Sequence, residues 1–132
     1  EFGYRTSRIQ REGLIALEAT LELEKGDPAI IKETMNDLIR RRREKQPLSY
    51  PSGGSVFKRP EGYYAGKLIQ DSGLKGYQIG GAQVSTKHAG FIINLGDATC
   101  ADVVSLIETI QDKVYRDFGV ELSPELKIVG EE

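Results

Sequence analysis

The chain has 132 residues, of which 39% are apolar and 29% charged, and its 18 basic and 20 acidic side chains give a net charge of −2. This length suffices for one core, and the near-neutral balance provides no overall field that would attract nucleic acid. One cysteine and one histidine exclude an internal disulfide and a Cys/His metal cluster, and without a long apolar run or signal-peptide pattern we expect a cytoplasmic protein with no metal.

The first residues are typical of the interior of a longer protein. The chain starts without Met and enters at once into Phe2-Gly-Tyr-Arg-Thr-Ser7, and residues 1–12 carry too many polar groups for a core strand. We interpret this segment as a polar, ligand-facing edge where the guanidinium of Arg5 can meet a carboxylate or a phosphate. An ordinary surface arginine is the more common alternative. We expect that an N-terminal portion precedes these residues.

A strand and a helix are predicted next. Apolar and polar residues alternate from Leu14 to Leu23, and this period of two predicts a half-buried strand, although Leu, Ala and Glu favour helix. Gly26-Asp-Pro28 then supplies a stop, an N-cap and a first-turn proline for a helix over about 28–45. The predicted apolar face of this helix consists of Ile31, Met35, Leu38 and Ile39.

Four consecutive arginines occupy positions 40–43, near the predicted C-terminal end of this helix. Cations suit the negative end of the helix dipole, so a solvated helix end is the more common role for such a run. Because the run lies just ahead of a glycine-rich stretch, a phosphate-binding role stays open. An RNA-binding domain has little support, since aromatic side chains do not interleave with the basic run.

The stretch Pro51-Ser-Gly-Gly-Ser-Val-Phe-Lys-Arg-Pro60 is the best candidate for a chemical site. The two glycines before Ser55 permit positive φ and remove side-chain bulk, so the serine hydroxyl can lie tightly against a ligand. The Val-Phe pair after it predicts the start of a buried strand, and Lys58 and Arg59 place cationic donors beside that strand. A Gly/Ser surface turn that leads into a strand is the commoner role of such a sequence.

The second half of the chain predicts a short helix over 63–73, a strong apolar strand over 91–95 and a long helix over about 99–118. The glycines at 73, 76, 80 and 81 lack the spacing of a dinucleotide fingerprint, so close backbone packing is their expected role. A terminal strand is predicted over 125–129. The pattern indicates an α+β fold, with a mainly antiparallel sheet packed against two longer helices.

Two further side chains are candidates for a site. His88 is the only histidine and lies three residues ahead of the strand at 91–95. A lone histidine more often has a structural or surface role than a catalytic one. Glu125 follows a proline at the start of the predicted terminal strand, which would hold its carboxylate rigidly, and an edge-strand surface glutamate is the alternative.

Several stretches resemble, in order, the UDP-N-acetylenolpyruvoylglucosamine reductase family (UDP-N-acetylmuramate dehydrogenase, MurB). The matching stretches are Phe2-Gly-Tyr-Arg-Thr-Ser7, Pro51 to Pro60, Ala65-Gly-Lys-Leu-Ile69, Gly73 to Ser85, Phe91-Ile-Ile-Asn94 and Pro124-Glu-Leu-Lys-Ile-Val-Gly130. The resemblance implies a fold like that of the MurB C-terminal domain. It further implies that residues 1–26 are the end of a flavin-binding region and that residues 27–132 are the substrate-binding domain.

The resemblance also implies an activity. The family reduces UDP-N-acetylglucosamine enolpyruvate to UDP-N-acetylmuramate for bacterial peptidoglycan, with NADPH reducing bound FAD, whose N5 then delivers hydride to the substrate. By resemblance, Ser55 is the acid that protonates the carbanion-like intermediate, Glu125 is its acidic partner and Arg5 is a cation near the enolpyruvyl carboxylate. Physical chemistry agrees, since hydride addition builds negative charge that a cation and a positioned proton donor stabilise.

The same resemblance implies substrate contacts by Tyr4, Lys45 and His88, with Lys45 suited to the diphosphate. Lys58 and Arg59 are further substrate-binding candidates because they are cationic donors beside the Ser55 stretch. Arg59 departs from the family pattern, in which Lys-Asn-Pro is usual. Because the family's flavin-binding region lies N-terminal to Tyr4, we expect that this chain alone neither holds FAD tightly nor reduces substrate. The alternative is a stand-alone module that binds a UDP-sugar or another phosphate ligand without catalysis.

Overall fold

The structure, a computed structural model, describes residues 1–130, and the chain divides into two compact units. The first unit spans residues 1–34, and the second begins at Met35. Within residues 1–130, no helix is long and apolar enough to cross a membrane, and no group of three or more His, Cys, Asp or Glu side chains is placed to hold a metal ion. The predicted α+β class is confirmed, since helices and antiparallel sheets share the chain.

The first unit begins with a tight hairpin. Strand β1 (Phe2–Gly3) pairs antiparallel with strand β2 (Thr6–Ser7), and helix α1 (Arg8–Arg11) follows directly. The two-residue turn between the strands puts Arg5 at φ 58°. Residues other than glycine seldom adopt this left-handed conformation, so the turn holds Arg5 in a strained backbone state.

The segment from Leu14 to Leu23 forms no strand, so the prediction of a half-buried strand there is wrong. It carries neither helix nor strand, and its alternating apolar side chains are exposed, with Leu17 at 93% and Leu21 at 79%. A strand needs a neighbour that supplies hydrogen-bond partners. The sheet of the first unit consists of β1 and β2 alone, so within that unit the segment has no strand to pair with.

Helix α2 (Pro28–Lys45) has the predicted bounds. Asp27 caps its start, because Oδ1 accepts the backbone N–H of Ala29 at 2.8 Å and that of Ile30 at 3.2 Å. No residue of the helix is buried, and the side chains of its predicted apolar face are exposed: Ile31, Met35, Leu38 and Ile39.

The second unit is built on an antiparallel sheet with the strand order β3-β6-β5-β4. Its strands are β3 (Ser52–Ser55), β4 (Gln78–Ile79), β5 (Ala82–Val84) and β6 (Phe91–Asn94). The predicted apolar strand is confirmed as β6, whose first three residues are buried. Because β6 lies between β3 and β5, it joins the glycine-rich stretch to the rest of the sheet.

Two further helices complete the second unit. Helix α3 (Ala65–Asp71) packs against helix α4 (Cys100–Phe118), and α4 also contacts β4 and β5. Thr99 and Asp102 form a capping box at the start of α4, and Gly119 ends it at φ 67°. The main core is made of apolar side chains from these helices, the sheet and four segments next to them: Val56, Phe57, Leu68, Ile69, Leu74, Ala82, Val84, Ala89, Ile92, Leu106, Ile107, Ile110, Val114 and Leu122.

Two local predictions need correction. The strand expected to begin at Val56 instead occupies the glycine-rich stretch itself, as β3, because β6 supplies hydrogen-bond partners that outweigh the low strand propensity of glycine. The terminal strand expected over 125–129 is absent. The nearest pairing among the described residues is an isolated bridge just ahead of that range, between Phe57 and Pro124.

Candidate active site around Ser55

Ser55 is the last residue of β3 and lies opposite Phe91 of β6. The register between the two strands shifts between Ser52 and Ser55, and within this irregularity Gly54 adopts φ 85°. Bulges of this kind re-aim side chains at functional sites. Ser55 is exposed, whereas the next residue, Val56, is 1% exposed. A rigid, buried anchor therefore follows directly on an accessible hydroxyl-bearing residue.

The segment that carries Glu125 runs beside the residues that follow Ser55. The backbone N–H of Glu125 donates to the carbonyl of Val56 at 2.7 Å, and the N–H of Lys58 donates to the carbonyl of Ser123 at 2.9 Å. The carboxylate oxygen Oε2 of Glu125 is buried from solvent. The structure therefore brings the predicted acid and its predicted partner onto adjacent backbone segments.

Gly53 makes room for this neighbouring segment. A Cβ built on Gly53 would lie 2.7 Å from Cδ2 of Leu126, a separation that would force the leucine to move. Leu126 is partly buried and packs against the core. The sequence predicted that the glycine pair would remove side-chain bulk and permit positive φ. In the structure, Gly53 provides the space for close packing and Gly54 adopts the positive φ.

A tightly bonded turn from Ser85 to Phe91 lies on the other side of Ser55. The Ser85 N–H donates to the Phe91 carbonyl at 2.9 Å, and the buried Ser85 hydroxyl accepts the N–H groups of Lys87 at 3.1 Å and His88 at 3.3 Å. The turn is joined to the Ser55 strand because the Val56 N–H donates to the carbonyl of Gly90 at 2.9 Å.

His88 is half-buried in this turn and is held from two sides. Its Nδ1 accepts the N–H of Gly90 at 3.1 Å, and its ring meets that of Phe91 edge to face, with 5.0 Å between the centroids. A Cβ on Gly66 or Gly90 would lie 3.3 or 3.0 Å from His88 Cε1, so the glycines leave space for the ring. A neutral histidine whose Nδ1 accepts a hydrogen bond carries its proton on Nε2, which makes that nitrogen the donor.

Helix α2 ends at Lys45 and carries the arginine run of positions 40–43 just before it. Arg40 contacts Asp37 at 2.5 Å and Glu44 at 2.9 Å, and Arg41 contacts Asp37 at 2.6 Å. The Arg40 guanidinium lowers the pKa of the Asp37 carboxyl below its ordinary value. These two arginines are therefore engaged with acids of their own helix, which favours the solvated helix end over a phosphate site.

Lys58 and Arg59 follow the buried pair at the end of the Ser55 strand, and both are exposed. The Arg59 guanidinium lies 4.0 Å from the ring centroid of Tyr64, and its Nε donates to the carbonyl of Tyr63 at 3.2 Å. A guanidinium stacked on an aromatic face is held in a defined plane. Arg59 is thus oriented by its neighbours.

Tyr4 and Arg5 lie in the first unit, at the hairpin turn, and both are exposed. The Arg5 guanidinium carbon is 5.6 Å from the centroid of the Tyr4 ring, within the range of a cation–π contact. The structure thus pairs these two predicted residues with each other. Ser55, Glu125, Lys45, Lys58, Arg59 and His88 all lie in the second unit.

The N-termini of the two long helices are poorly suited to the diphosphate of FAD. A helix N-terminus is the usual cradle for such a group, but carboxylates cap both long helices, Asp27 on α2 and Asp102 on α4. The backbone and side chain of Thr99 hydrogen-bond to Asp102 and lower the pKa of its carboxyl, which keeps a negative charge there.

The glycines at 80 and 81 have the packing role that the sequence predicted for them. A Cβ on Gly80 or Gly81 would lie 2.4 Å from a neighbouring atom, so a side chain at either position would clash.

Sequence reasoning missed Ser85 and Lys87, which build the turn beside Ser55. In a known turn pattern, a serine hydroxyl accepts hydrogen bonds from the backbone N–H groups two and three residues after it. The segment Ser85-Thr-Lys-His88 has this pattern. The contact of Lys87 with α2 joins residues 44 positions apart and carries no local signal.

Comparisons with known proteins identify the relatives of this chain. A family model described as UDP-N-acetylenolpyruvoylglucosamine reductase, C-terminal domain, matches residues 46–129. The chain is 64% identical over 132 residues to the UDP-N-acetylenolpyruvoylglucosamine reductase of Alkaliphilus oremlandii and 61% identical to that of Exiguobacterium sibiricum. In both cases the alignment covers 100% of this chain and 43% of the relative.

A solved structure is similar as well. The crystal structure of UDP-N-acetylenolpyruvylglucosamine reductase (MurB) from Thermus caldophilus matches with a TM-score of 0.68 and 33% identity, over 80% of this chain and 37% of that chain. The resemblance found in the sequence motifs is thereby confirmed. The chain spans less than half the length of these relatives.

Proposed function

The chain belongs to the UDP-N-acetylenolpyruvoylglucosamine reductase C-terminal domain family, and from that membership we propose that it is the substrate-binding part of a bacterial flavoenzyme. The reaction would reduce UDP-N-acetylglucosamine enolpyruvate to UDP-N-acetylmuramate, a peptidoglycan precursor, in the cytoplasm. The observation that carries the proposal is the bond from the Glu125 N–H to the Val56 carbonyl, 2.7 Å long. This bond sets the backbone of Glu125 beside that of Ser55.

Ser55 and Glu125 are proposed to handle the proton of the reaction. Reduction of an enolpyruvyl double bond leaves a strongly basic carbanion-like centre next to a carboxylate. A serine hydroxyl is a weak acid in water, so it can serve only when its geometry is fixed. Strand β3, the buried Val56 and the hydrogen bonds on both sides of Ser55 provide that fixed geometry. Glu125 would serve as the acidic partner.

Arg5 is proposed as the cation that stabilises the enolpyruvyl carboxylate as charge develops, with Tyr4 as a substrate contact. Support comes from the backbone, because a non-glycine residue at φ 58° is costly and such strain clusters at functional sites. The cation–π contact with Tyr4 orders the guanidinium at the hairpin turn.

The substrate's diphosphate and sugar are proposed to contact Lys45, Lys58, Arg59 and His88. Arg59 stacks on Tyr64, which presents its guanidinium in a defined plane suited to phosphate oxygens. His88 accepts from Gly90 through Nδ1, so Nε2–H is the donor that it can offer to a ligand.

FAD and the reductant NADPH are proposed to be bound by polypeptide outside the described residues, since the capped helix N-termini do not fit a diphosphate. That flavin-binding polypeptide is the proposed partner of this chain. The domain boundary that we propose, between residues 26 and 27, makes 1–26 the end of the flavin-binding region. The exposed, alternating residues from Leu14 to Leu23 would then pair with a strand of that region.

Calorimetric titration of this chain with UDP-N-acetylglucosamine enolpyruvate tests the proposal, beside the variants Lys45→Ala and Ser55→Ala. Binding that weakens in Lys45→Ala and persists in Ser55→Ala supports separate anchoring and chemical residues. Retention of stoichiometric flavin by this chain through gel filtration would refute the assignment of FAD to other polypeptide. A chain that binds substrate equally well in both variants contradicts the proposed residue roles.

A further inference from the structure

Lys87 makes a long-range contact that the proposed roles do not use. Its Nζ donates to the carbonyl of Arg43, in the last turn of α2, at 2.6 Å. The last four carbonyls of a helix have no partner within the helix, and a cation suits the negative end of the helix dipole. Lys87 is therefore a C-terminal cap that a distant turn supplies to α2.

The turn that carries Lys87 is itself fixed in place. The backbone N–H of Lys87 donates to the buried Ser85 hydroxyl at 3.1 Å. The turn is closed by the hydrogen bond from the Ser85 N–H to the Phe91 carbonyl, at 2.9 Å. The Gly90 carbonyl of the same turn accepts from Val56, next to Ser55. Lys87 thus reaches α2 from the same rigid turn that supports the Ser55 strand.

In the part of the chain that the structure describes, burial does little to restrain this end of α2. The helix has no buried residue, and Pro47, two positions after its end, is the first buried residue of the connection to β3. The groove between the helix end and the turn is lined by Asn36, Ile39, Arg40, Arg43, Glu44 and Lys87. An unburied helix end is free to fray or swing unless a side chain holds it.

We infer that Lys87 is a positioning residue: its bond to the Arg43 carbonyl holds the last turn of α2, and with it Lys45, on the turn that carries His88. This inference rests on the proposed function, because it assigns Lys87 the task of orienting the proposed diphosphate anchor. Lys87 acts through the helix end, and its amine is engaged with a carbonyl.

The test compares Lys87→Met, which keeps the apolar stem and removes the donor, with Lys87→Arg, which restores a donor to the carbonyl. Lys75→Met is the matched control, because Lys75 is another exposed lysine of the same unit. Two quantities are measured on the 132-residue chain: the Kd for UDP-N-acetylglucosamine, and hydrogen exchange of the backbone N–H groups at the end of α2, including Gln46, which donates to Arg42 at 2.9 Å.

We expect Lys87→Met to raise the Kd about fivefold, which corresponds to about 1 kcal/mol, the net contribution of one ordinary intramolecular hydrogen bond, and to speed exchange at the end of α2. Lys87→Arg should restore both, and Lys75→Met should change neither. Faster exchange with an unchanged Kd would reduce Lys87 to a helix cap and overturn the positioning role. Unchanged exchange would overturn the tether itself. A wild-type chain that binds no UDP-sugar contradicts the proposed function, and the exchange result still decides the tether.

Discussion

Glu125 and Val56 are joined by a backbone hydrogen bond of 2.7 Å, which fastens the C-terminal segment to the strand end that carries Ser55. The bridge between Phe57 and Pro124 and the bond from Lys58 to Ser123 continue the same pairing. Three successive residues on each side are thus in register. Glu125 and Ser55, which are distant in the sequence, are therefore held on neighbouring backbone segments.

This arrangement predicts a split between binding and chemistry at Ser55. If the full-length protein has the proposed reductase activity, Ser55→Ala should lower its kcat by about 10²- to 10⁴-fold, the range expected for loss of a positioned proton donor, while the substrate Kd stays near its wild-type value. Ser52→Ala is the control, because Ser52 is exposed on the same strand and should leave kcat unchanged. Steady-state kinetics with a separate binding titration measures both. Equal losses in the two variants would mean that the strand, and not the hydroxyl, matters.

The contrast between α4 and α2 predicts where stability resides. Ile110 of α4 is 1% exposed within the core, whereas Ile30 of α2 is 64% exposed. Ile110→Ala should lower the free energy of unfolding by about 2–5 kcal/mol, because it removes packed methylene groups and leaves a cavity. Ile30→Ala should change it by less than about 0.5 kcal/mol. Urea titration of both variants measures these free energies of unfolding. A comparable loss of stability in Ile30→Ala would show that α2 is packed in solution.

Helix α4 could be predicted from the sequence because every signal for it is local. Its apolar spacing, the Thr99 cap and the Gly119 stop all lie within or next to the helix, and the structure confirms them. The signals for helix α2 were also local, because Asp27 caps the helix and Pro28 begins it. Its burial was not predictable, since that depends on what packs against the helix.

The sheet could be predicted only in part because strands depend on distant partners. Strand β3 forms across two glycines because β6 pairs with Ser52 and Ser55 on either side of them, while the better patterned segment from Leu14 to Leu23 remains without a strand. The same holds for the site. Motifs selected Ser55 and Glu125 as candidates, but the bond from Lys87 to the Arg43 carbonyl depends on how the chain folds back.

Gly54 is predicted to be required for its backbone conformation. At φ 85° a side chain is strained, although a Cβ there would meet open space. Gly54→Ala should therefore lower the free energy of unfolding by about 1 kcal/mol or more through the backbone alone. Gly54→Asn should cost less, because asparagine tolerates left-handed conformations better. Chemical denaturation of the two variants tests this, and an Ala variant as stable as the wild type would contradict the observed φ.

The capping box of α4 predicts an acid-sensitive contribution to stability. Hydrogen bonds from Thr99, and a further one from the Gly81 N–H, lower the pKa of the Asp102 carboxyl below its ordinary value of 3.8. A carboxyl whose pKa is lower in the folded state stabilises that state above the unfolded pKa, and this contribution is lost as the pH falls through the folded pKa. Asp102→Asn should therefore have a lower Tm than the wild type at pH 7, and the difference should shrink as the pH falls below 3.8.

Thermal melts of the wild type and Asp102→Asn from pH 7 to pH 2 measure this difference directly, since asparagine keeps the shape of the side chain and one acceptor oxygen but carries no charge. Asp112→Asn is the matched control, because Asp112 is exposed on the same helix and lies outside the capping box. It should show a much smaller difference in Tm at pH 7. A Tm difference for Asp102→Asn that stays constant down to pH 2 would show that the charge of the capping box does not contribute, leaving only its hydrogen bonds.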